Sequence, residues 1–346
     1  MHISLITYGS RGDVEPFIAL AEGLLAAGYT VTLAAPEKYR ALDLPPGLDY
    51  HGLAGDPDQL ARGLAFRAGA NWTRMVTEVA RYTTPLAVEV FRQVRAACQK
   101  ADLIVHSFLL TDAGHQIATS RGIPEYSAQF FPVFTPTHVF PALVLPDLPL
   151  GNGYRWATHV FTNNTFRYGS RWLYAFIRRG RKDLPDLAAW PFAGPERARV
   201  PLLYAFSQHV LPRPADWPVR VHLTGYWQRA LPLGWRPPEE LARWLAAGPP
   251  PLYFGLGSML PERAEYLIDI FADAAEQVGR RAICSLGGVD PQQPRVQGNL
   301  LLTGAVPHAW LFPQLAAAVH HGGAGTTAAS LRAGVPTLVL PCLLYT

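Results

Sequence analysis

The chain has 346 residues, 49% hydrophobic and 16% charged, which excludes a disordered polypeptide and allows two domains with separate cores. Its formal charge of +4 rests almost wholly on arginine, because Lys38, Lys100 and Lys182 are the only lysines. No basic stripe is interleaved with aromatics, so nucleic acid is not an expected partner.

The first half reads as alternating strands and helices. A strand over His2–Thr7 leads through the loop YGSRGDVEP into a helix from about Val14 to Ala27, which Gly28 stops. Val31–Ala35 reads as a second buried strand. Leu103–His106, a helix over Asp112–Ser120 and a strand after Gly122-Ile123-Pro124 continue the pattern. Such alternation implies a parallel sheet covered on both faces.

The pattern breaks between Phe130 and Phe192. FFPVFTPTHVFPALVLP is too rich in proline for a regular helix or a central strand. A helix over Tyr154–Ile177 follows, carrying Trp156, Phe161, Tyr168, Trp172 and Phe176. These aromatics read first as core, and second as lining for a hydrophobic acceptor pocket. Pro201–Phe206 and Val219–Leu223 close the half as strands, and the Pro/Gly-rich stretch 224–240 resembles a linker.

A second series starts at Leu252–Leu256. It continues with helix Glu262–Gln277, strands Ala282–Leu286 and Leu300–Leu302, a short helix near Trp310, strand Ala317–His320, helix Thr326–Ala333 and strand Thr337–Leu340. The expected architecture is α/β, with two Rossmann-like domains at 1–223 and 241–346 facing across a ligand-binding cleft. The chain stops at PCLLYT without a helical closure, so the second domain is expected to be incomplete.

The densest chemistry lies in VHHGGAGTTAASLRAG, Val319–Gly334. Small residues at a helix start let backbone N–H groups approach an anion, and the helix dipole adds to the attraction. An imidazole and a hydroxyl beside those amides would make a diphosphate clamp. An ordinary glycine turn is the competing reading.

The cysteines Cys98, Cys284 and Cys342 show no metal-ligand spacing and cannot all pair, which fits a reducing cytoplasm. No stretch approaches the length of a membrane-spanning helix, and no secretion signal is evident. The run Arg178, Arg179, Arg181 and Lys182 reads as a solvated helix end that also suits a weak peripheral contact at the inner membrane face. A monomer is expected.

Phe254-Gly-Leu-Gly-Ser258, Val306-Pro-His308 and His320–Thr327 resemble the GT-B glycosyltransferases of family 1, in the branch of bacterial antibiotic and sterol glucosyltransferases. Gly9–Leu24 and Thr224-Gly-Tyr-Trp227 resemble the same branch. The resemblance implies an inverting, metal-free transfer of a hexose from a UDP- or dTDP-linked donor to a hydroxyl of a lipophilic acceptor. It places the acceptor in the N-terminal domain and the nucleotide sugar in the C-terminal one.

On that reading Asp13 is the general base, in a loop at the carboxyl end of the first strand. A helix N-cap or first-turn acid is the competing role. Near its free pKa an aspartate is a weak base, so stabilisation of the leaving diphosphate must supply much of the rate. Glu15 is the lesser candidate, expected in the first helical turn.

His321, with the amides of Gly323, Ala324 and Gly325 and the hydroxyl of Thr326, is expected to reach the diphosphate, whereas His320 reads as structural. Gly257 and Ser258 resemble the donor-phosphate loop, and Val306 and His308 match positions near the base and ribose. Ser10 and Arg11 occupy the facing loop; Arg11 suits phosphate, with a salt bridge to Asp13 as its competing use.

Ala329 stands where many relatives place a ribose-binding glutamate, and the Asp-Gln pair for sugar hydroxyls does not appear before Thr346. This polypeptide is therefore expected to be shortened and weakly active or inactive. The alternatives are a nucleotide-sugar epimerase or hydrolase, and a non-catalytic nucleotide-sugar binding or partner protein.

Overall fold

The computed structural model describes residues 1–57, 72–143, 145–179, 188–192, 200–231, 234–255, 264–285 and 293–340. The chain divides into two compact units, one running to Arg229 and the other starting at Ala230.

In the first unit, strands β1 (His2–Ile6), β2 (Thr30–Pro36), β3 (Asp49–Leu53), β4 (Leu103–His106), β5 (Glu125–Gln129), β6 (Leu202–Tyr204) and β7 (Val221–Leu223) form one sheet in the order β3-β2-β1-β4-β5-β6-β7. Every pairing is parallel. Alternation along the strands explains the layering. Ile3, Leu5, Val31, Leu33 and Val105 face helix α1 (Arg11–Ala26), where Phe17 and Ile18 meet them. Ile6, Ala34 and Ile104 face the other way, onto Phe91 and Val94 of α2 (Trp72–Ala97) and Ile117 of α3 (Thr111–Arg121).

Helix α4 (Gly151–Arg178) buries Thr162, Asn163 and Tyr174. Its outer face corrects the core reading of the aromatics: Trp156, Phe161, Tyr168 and Trp172 are exposed, and the Phe176 side chain lies outside the described residues. The irregular aromatic segment before α4 instead packs inward. Phe134 stacks on Phe192 at 4.2 Å, and Trp190 and Phe166 meet the Phe134 ring edge to face.

In the second unit, α5 (Glu239–Ala246) precedes β8 (Leu252–Gly255), α6 (Ala264–Gln277), β9 (Ala282–Ser285), β10 (Arg295–Gln297), β11 (Leu300–Thr303), α7 (His308–Leu311), β12 (Ala317–His320), α8 (Ala324–Ala333) and β13 (Thr337–Val339). The sheet order is β10-β11-β9-β8-β12-β13, with β10 antiparallel to β11 and the other pairings parallel. Tyr253, Ile283 and Leu301 pack on one face, and Phe254, Cys284 and Leu300 on the other.

The expected linker is divided between the units. Trp227 packs beside the first core and Arg229 bonds Glu22 at 2.7 Å, whereas Trp235 joins the core of the second unit. The sequence reading missed β3, α2, α5 and β10.

Candidate functional site

At the carboxyl end of β1 the chain turns through Gly9, whose φ is +150°. Ser10 caps α1, which starts three residues earlier than the apolar periodicity indicated. Asp13 is therefore the third residue of the helix. Its Oδ2 accepts the backbone N–H of Ser10 at 2.8 Å and the Ser10 hydroxyl at 3.0 Å. The carboxylate folds back so closely that a Cβ on residue 9 would lie 2.2 Å from Oδ2, so only glycine fits there.

The capping role is thus real, and it leaves Oδ1 without a hydrogen bond among the described residues. Burial raises the Asp13 carboxyl to about 6, with the two Ser10 bonds pulling the other way. That corrects the expectation of a weak base at its ordinary pKa. A carboxylate of pKa near 6 is ionised at neutral pH and still attracts a proton usefully.

Arg11 does not pair with Asp13. It forks onto Oε1 of Glu15 at 2.8 and 3.0 Å, an exposed pair worth about 0.2–1 kcal/mol. Glu15 sits in the second turn, not the first, and also faces Arg229 at 3.6 Å, so both of its oxygens are engaged by arginines.

The second cluster follows β12. His320 is fully buried: its Nδ1 accepts the Gly322 N–H at 3.0 Å and its Nε2 faces Ser330 Oγ at 3.4 Å. Accepting at Nδ1 puts the ring proton on Nε2, and burial lowers the imidazole to about 4, so His320 is a neutral turn-former. Gly322, with φ +82°, then redirects the chain.

Gly323 is the N-cap of α8 and brings no side-chain bond to the helix start. The first intrahelical bond runs from Thr327 N to the Gly323 carbonyl, so the N–H groups of Ala324, Gly325 and Thr326 precede it. The helix thus starts two residues before the expected Thr326.

His321 lies over this terminus, since a Cβ on Gly323 would meet its Nε2 at 2.4 Å. Burial lowers its pKa, with a backbone hydrogen bond at Gly255 pulling the other way, and its buried Nδ1 has no hydrogen-bond partner among the described residues. A neutral imidazole beside three helix-start amides can donate to an anion.

Val306 buries its side chain in the core of the second unit, which leaves its main chain for any ligand. The His308 ring stacks on Phe312 at 4.4 Å and meets Tyr253 Oη at 3.3 Å. Gly257 and Ser258 lie outside the described residues.

The sequence reading missed one polar cluster. Glu125 bonds the buried His106 at 2.9 Å and His115 at 2.6 Å, while His115 also bonds the Ala189 carbonyl at 2.7 Å. Burial opposes ionisation of Glu125, but the two histidines outweigh it and hold the carboxyl near 2. The apolar spacing of α3 gave no sign of this cluster. Glu125 begins a strand, and its partners lie on two other elements.

Among the described residues, no group of three His, Cys, Asp or Glu side chains could hold a metal. None of their helices is long and apolar enough to cross a membrane. Cys98 and Cys284 are buried free thiols, each pushed up to about 12 by burial.

The model of the Glycosyltransferase family 28 N-terminal domain matches residues 3–134, and that of the Erythromycin biosynthesis protein CIII-like C-terminal domain matches residues 281–344. The chain is 37% identical to the O-mycaminosyltylonolide 6-deoxyallosyltransferase of Streptomyces fradiae, over 99% of this chain and 80% of that protein. It is 31% identical to a sterol 3-beta-glucosyltransferase of Arabidopsis thaliana and 32% identical to one of Aspergillus clavatus. In each case 99% of this chain aligns, against 56% and 25% of those longer proteins. Among solved structures, the calicheamicin glycosyltransferase CalG4 aligns with a TM-score of 0.64 at 16% identity, over 98% of this chain and 79% of that one. The glycosyltransferase VinC in complex with dTDP aligns at 0.59 and 19%, over 100% of this chain and 82% of that one.

Proposed function

The chain belongs to the GT-B glycosyltransferases, in the branch of the macrolide and sterol transferases, and from that premise we propose that it transfers a hexose from a nucleoside-diphosphate sugar to a hydroxyl of a lipophilic acceptor, with inversion. The observation that carries this reading is the Asp13 carboxylate, with Oδ2 fixed by Ser10, Oδ1 without a hydrogen bond among the described residues and a pKa of about 6. The names of the Streptomyces, Arabidopsis and Aspergillus relatives support a macrolide-like or sterol-like acceptor. The dTDP bound to VinC supports a nucleoside-diphosphate donor.

In this mechanism the acceptor binds to the first unit and the donor to the second. Asp13 Oδ1 takes the proton of the acceptor hydroxyl as its oxygen bonds to the anomeric carbon. The bond from that carbon to the diphosphate breaks, and its electron pair leaves with the phosphate oxygen. The amides of Ala324, Gly325 and Thr326, the Thr326 hydroxyl and the His321 N–H receive the developing charge. These donors are fixed before reaction, so little reorganisation is needed. His308 and the Val306 main chain serve the nucleoside, and Gly257 and Ser258 the phosphates. Ser10 holds the base, and Arg11 can exchange Glu15 for a donor phosphate at small cost.

The test is incubation of the chain with UDP- and dTDP-hexoses against macrolide aglycones and sterols, with products read by mass spectrometry and anomeric configuration by NMR. A glycoside of inverted configuration is expected. Donor binding without glycoside in every combination would overturn the proposal and favour a nucleotide-sugar binding protein.

A further inference from the structure

Ser330 is fully buried in the second turn of α8, a place where alanine is the better helix former. Its hydroxyl oxygen stands 3.0 Å from the Thr327 carbonyl and 3.4 Å from His320 Nε2. A carbonyl only accepts, so the single hydroxyl proton goes to Thr327, and Ser330 Oγ accepts from the Nε2–H of His320. Across the ring, Nδ1 accepts the Gly322 N–H at 3.0 Å. Both ends therefore require the same tautomer, with Nε2 the donor and Nδ1 the acceptor. Donation runs in one direction, from Gly322 through the imidazole and Ser330 to the Thr327 carbonyl.

These bonds tie the sheet, the turn and the helix to one ring. The His320 backbone is fixed at the end of β12, in register with Gly255 of β8 and Val339 of β13. Gly322 turns the chain at φ +82°, and a Cβ there would meet Val339 Cγ1 at 2.9 Å. Ser330 reaches the same buried, neutral imidazole from α8. The helix-start amides of Ala324, Gly325 and Thr326 lie in the chain between that turn and Ser330. We propose that Ser330 is a positioning residue for the donor diphosphate, acting through His320 to fix the turn and the direction of those amides. This rests on the donor assignment made above and adds to it a residue too deeply buried to touch a ligand. Without the hydroxyl, the Nε2 proton has no partner in the interior and the Nδ1–H tautomer becomes competitive. That tautomer opposes the Gly322 N–H, and the turn loosens.

The test is calorimetric binding of UDP and dTDP to the full chain, to Ser330→Ala, to His320→Asn and to the double variant. Asparagine keeps an acceptor for the Gly322 N–H but has no group that reaches Ser330. Ser330→Ala should raise Kd about tenfold in the wild-type background and less than about twofold in the His320→Asn background. Imidazole nitrogen NMR of the wild type should show the Nε2–H tautomer at His320, and Ser330→Ala should show a mixture. Unchanged nucleotide affinity in Ser330→Ala, the same loss in both backgrounds, or an Nδ1–H tautomer in the wild type would overturn the proposal. A wild type that binds neither nucleotide would overturn the donor assignment itself, and this inference with it.

Discussion

Both hydrogen bonds that Ser10 gives to Asp13 end on the same oxygen, Oδ2, at 2.8 Å from the backbone nitrogen and 3.0 Å from the hydroxyl. One residue thereby caps its helix and keeps a second oxygen for chemistry. Gly9 makes this possible, because any side chain there would displace the carboxylate.

The same geometry has a stability cost. The carboxyl titrates near 3.8 in an unfolded chain and near 6 in the fold, so the folded state binds the proton more tightly. Its favourable contribution is complete below the unfolded value and is lost as pH rises through about 6. Asp13→Asn should therefore stabilise the chain by on the order of 1 kcal/mol at pH of about 8, and the gain should vanish near pH 4. Thermal unfolding of both proteins across that range is the check.

Gly323 and His321 should act as one device. Gly323→Ala places a methyl group 2.4 Å from His321 Nε2, so the imidazole must move. Either Gly323→Ala or His321→Ala should raise the calorimetric Kd of UDP or dTDP about tenfold. The double variant should be no weaker than the worse single one. Additive losses would show that the imidazole and the glycine act separately.

The His106–Glu125–His115 cluster should matter for the fold of the first unit. The carboxyl of Glu125, held near 2, contributes stability above its ordinary 4.5 that is lost as pH falls through 2. The raised His115 contributes below 6.5 and loses its share as pH climbs through its elevated value, so the pair is strongest between these limits. Glu125→Gln should cost about 3 kcal/mol near neutral pH. Hydrogen exchange should then increase at the Ala188 amide, which Gln116 holds next to the Ala189 carbonyl that His115 bonds. Wild-type protection in the variant would contradict this.

Much of the fold was legible because strands such as Val31–Ala35 are buried on both faces and read as short apolar runs between glycine-marked turns. Asp13 and His321 were legible as candidates because local motifs carry them. The Asp13 pKa was not, since it arises from burial that only the fold creates. The outer aromatics of α4 were read as core because hydrophobicity does not reveal which partner covers a helix face. The Glu125 cluster joins residues from β4, α3 and β5, and no local pattern announces such a meeting.

The most direct measurement is the pH dependence of kcat/KM for transfer by the wild type and Asp13→Asn, paired with calorimetric donor binding. The wild-type rate should rise with pH and level off above about 6, because the base must be ionised. Asp13→Asn should lose about a hundredfold or more in kcat, lack that limb and bind donor with unchanged affinity. A variant that keeps both its rate and the wild-type limb would contradict the assignment of Asp13 as the base.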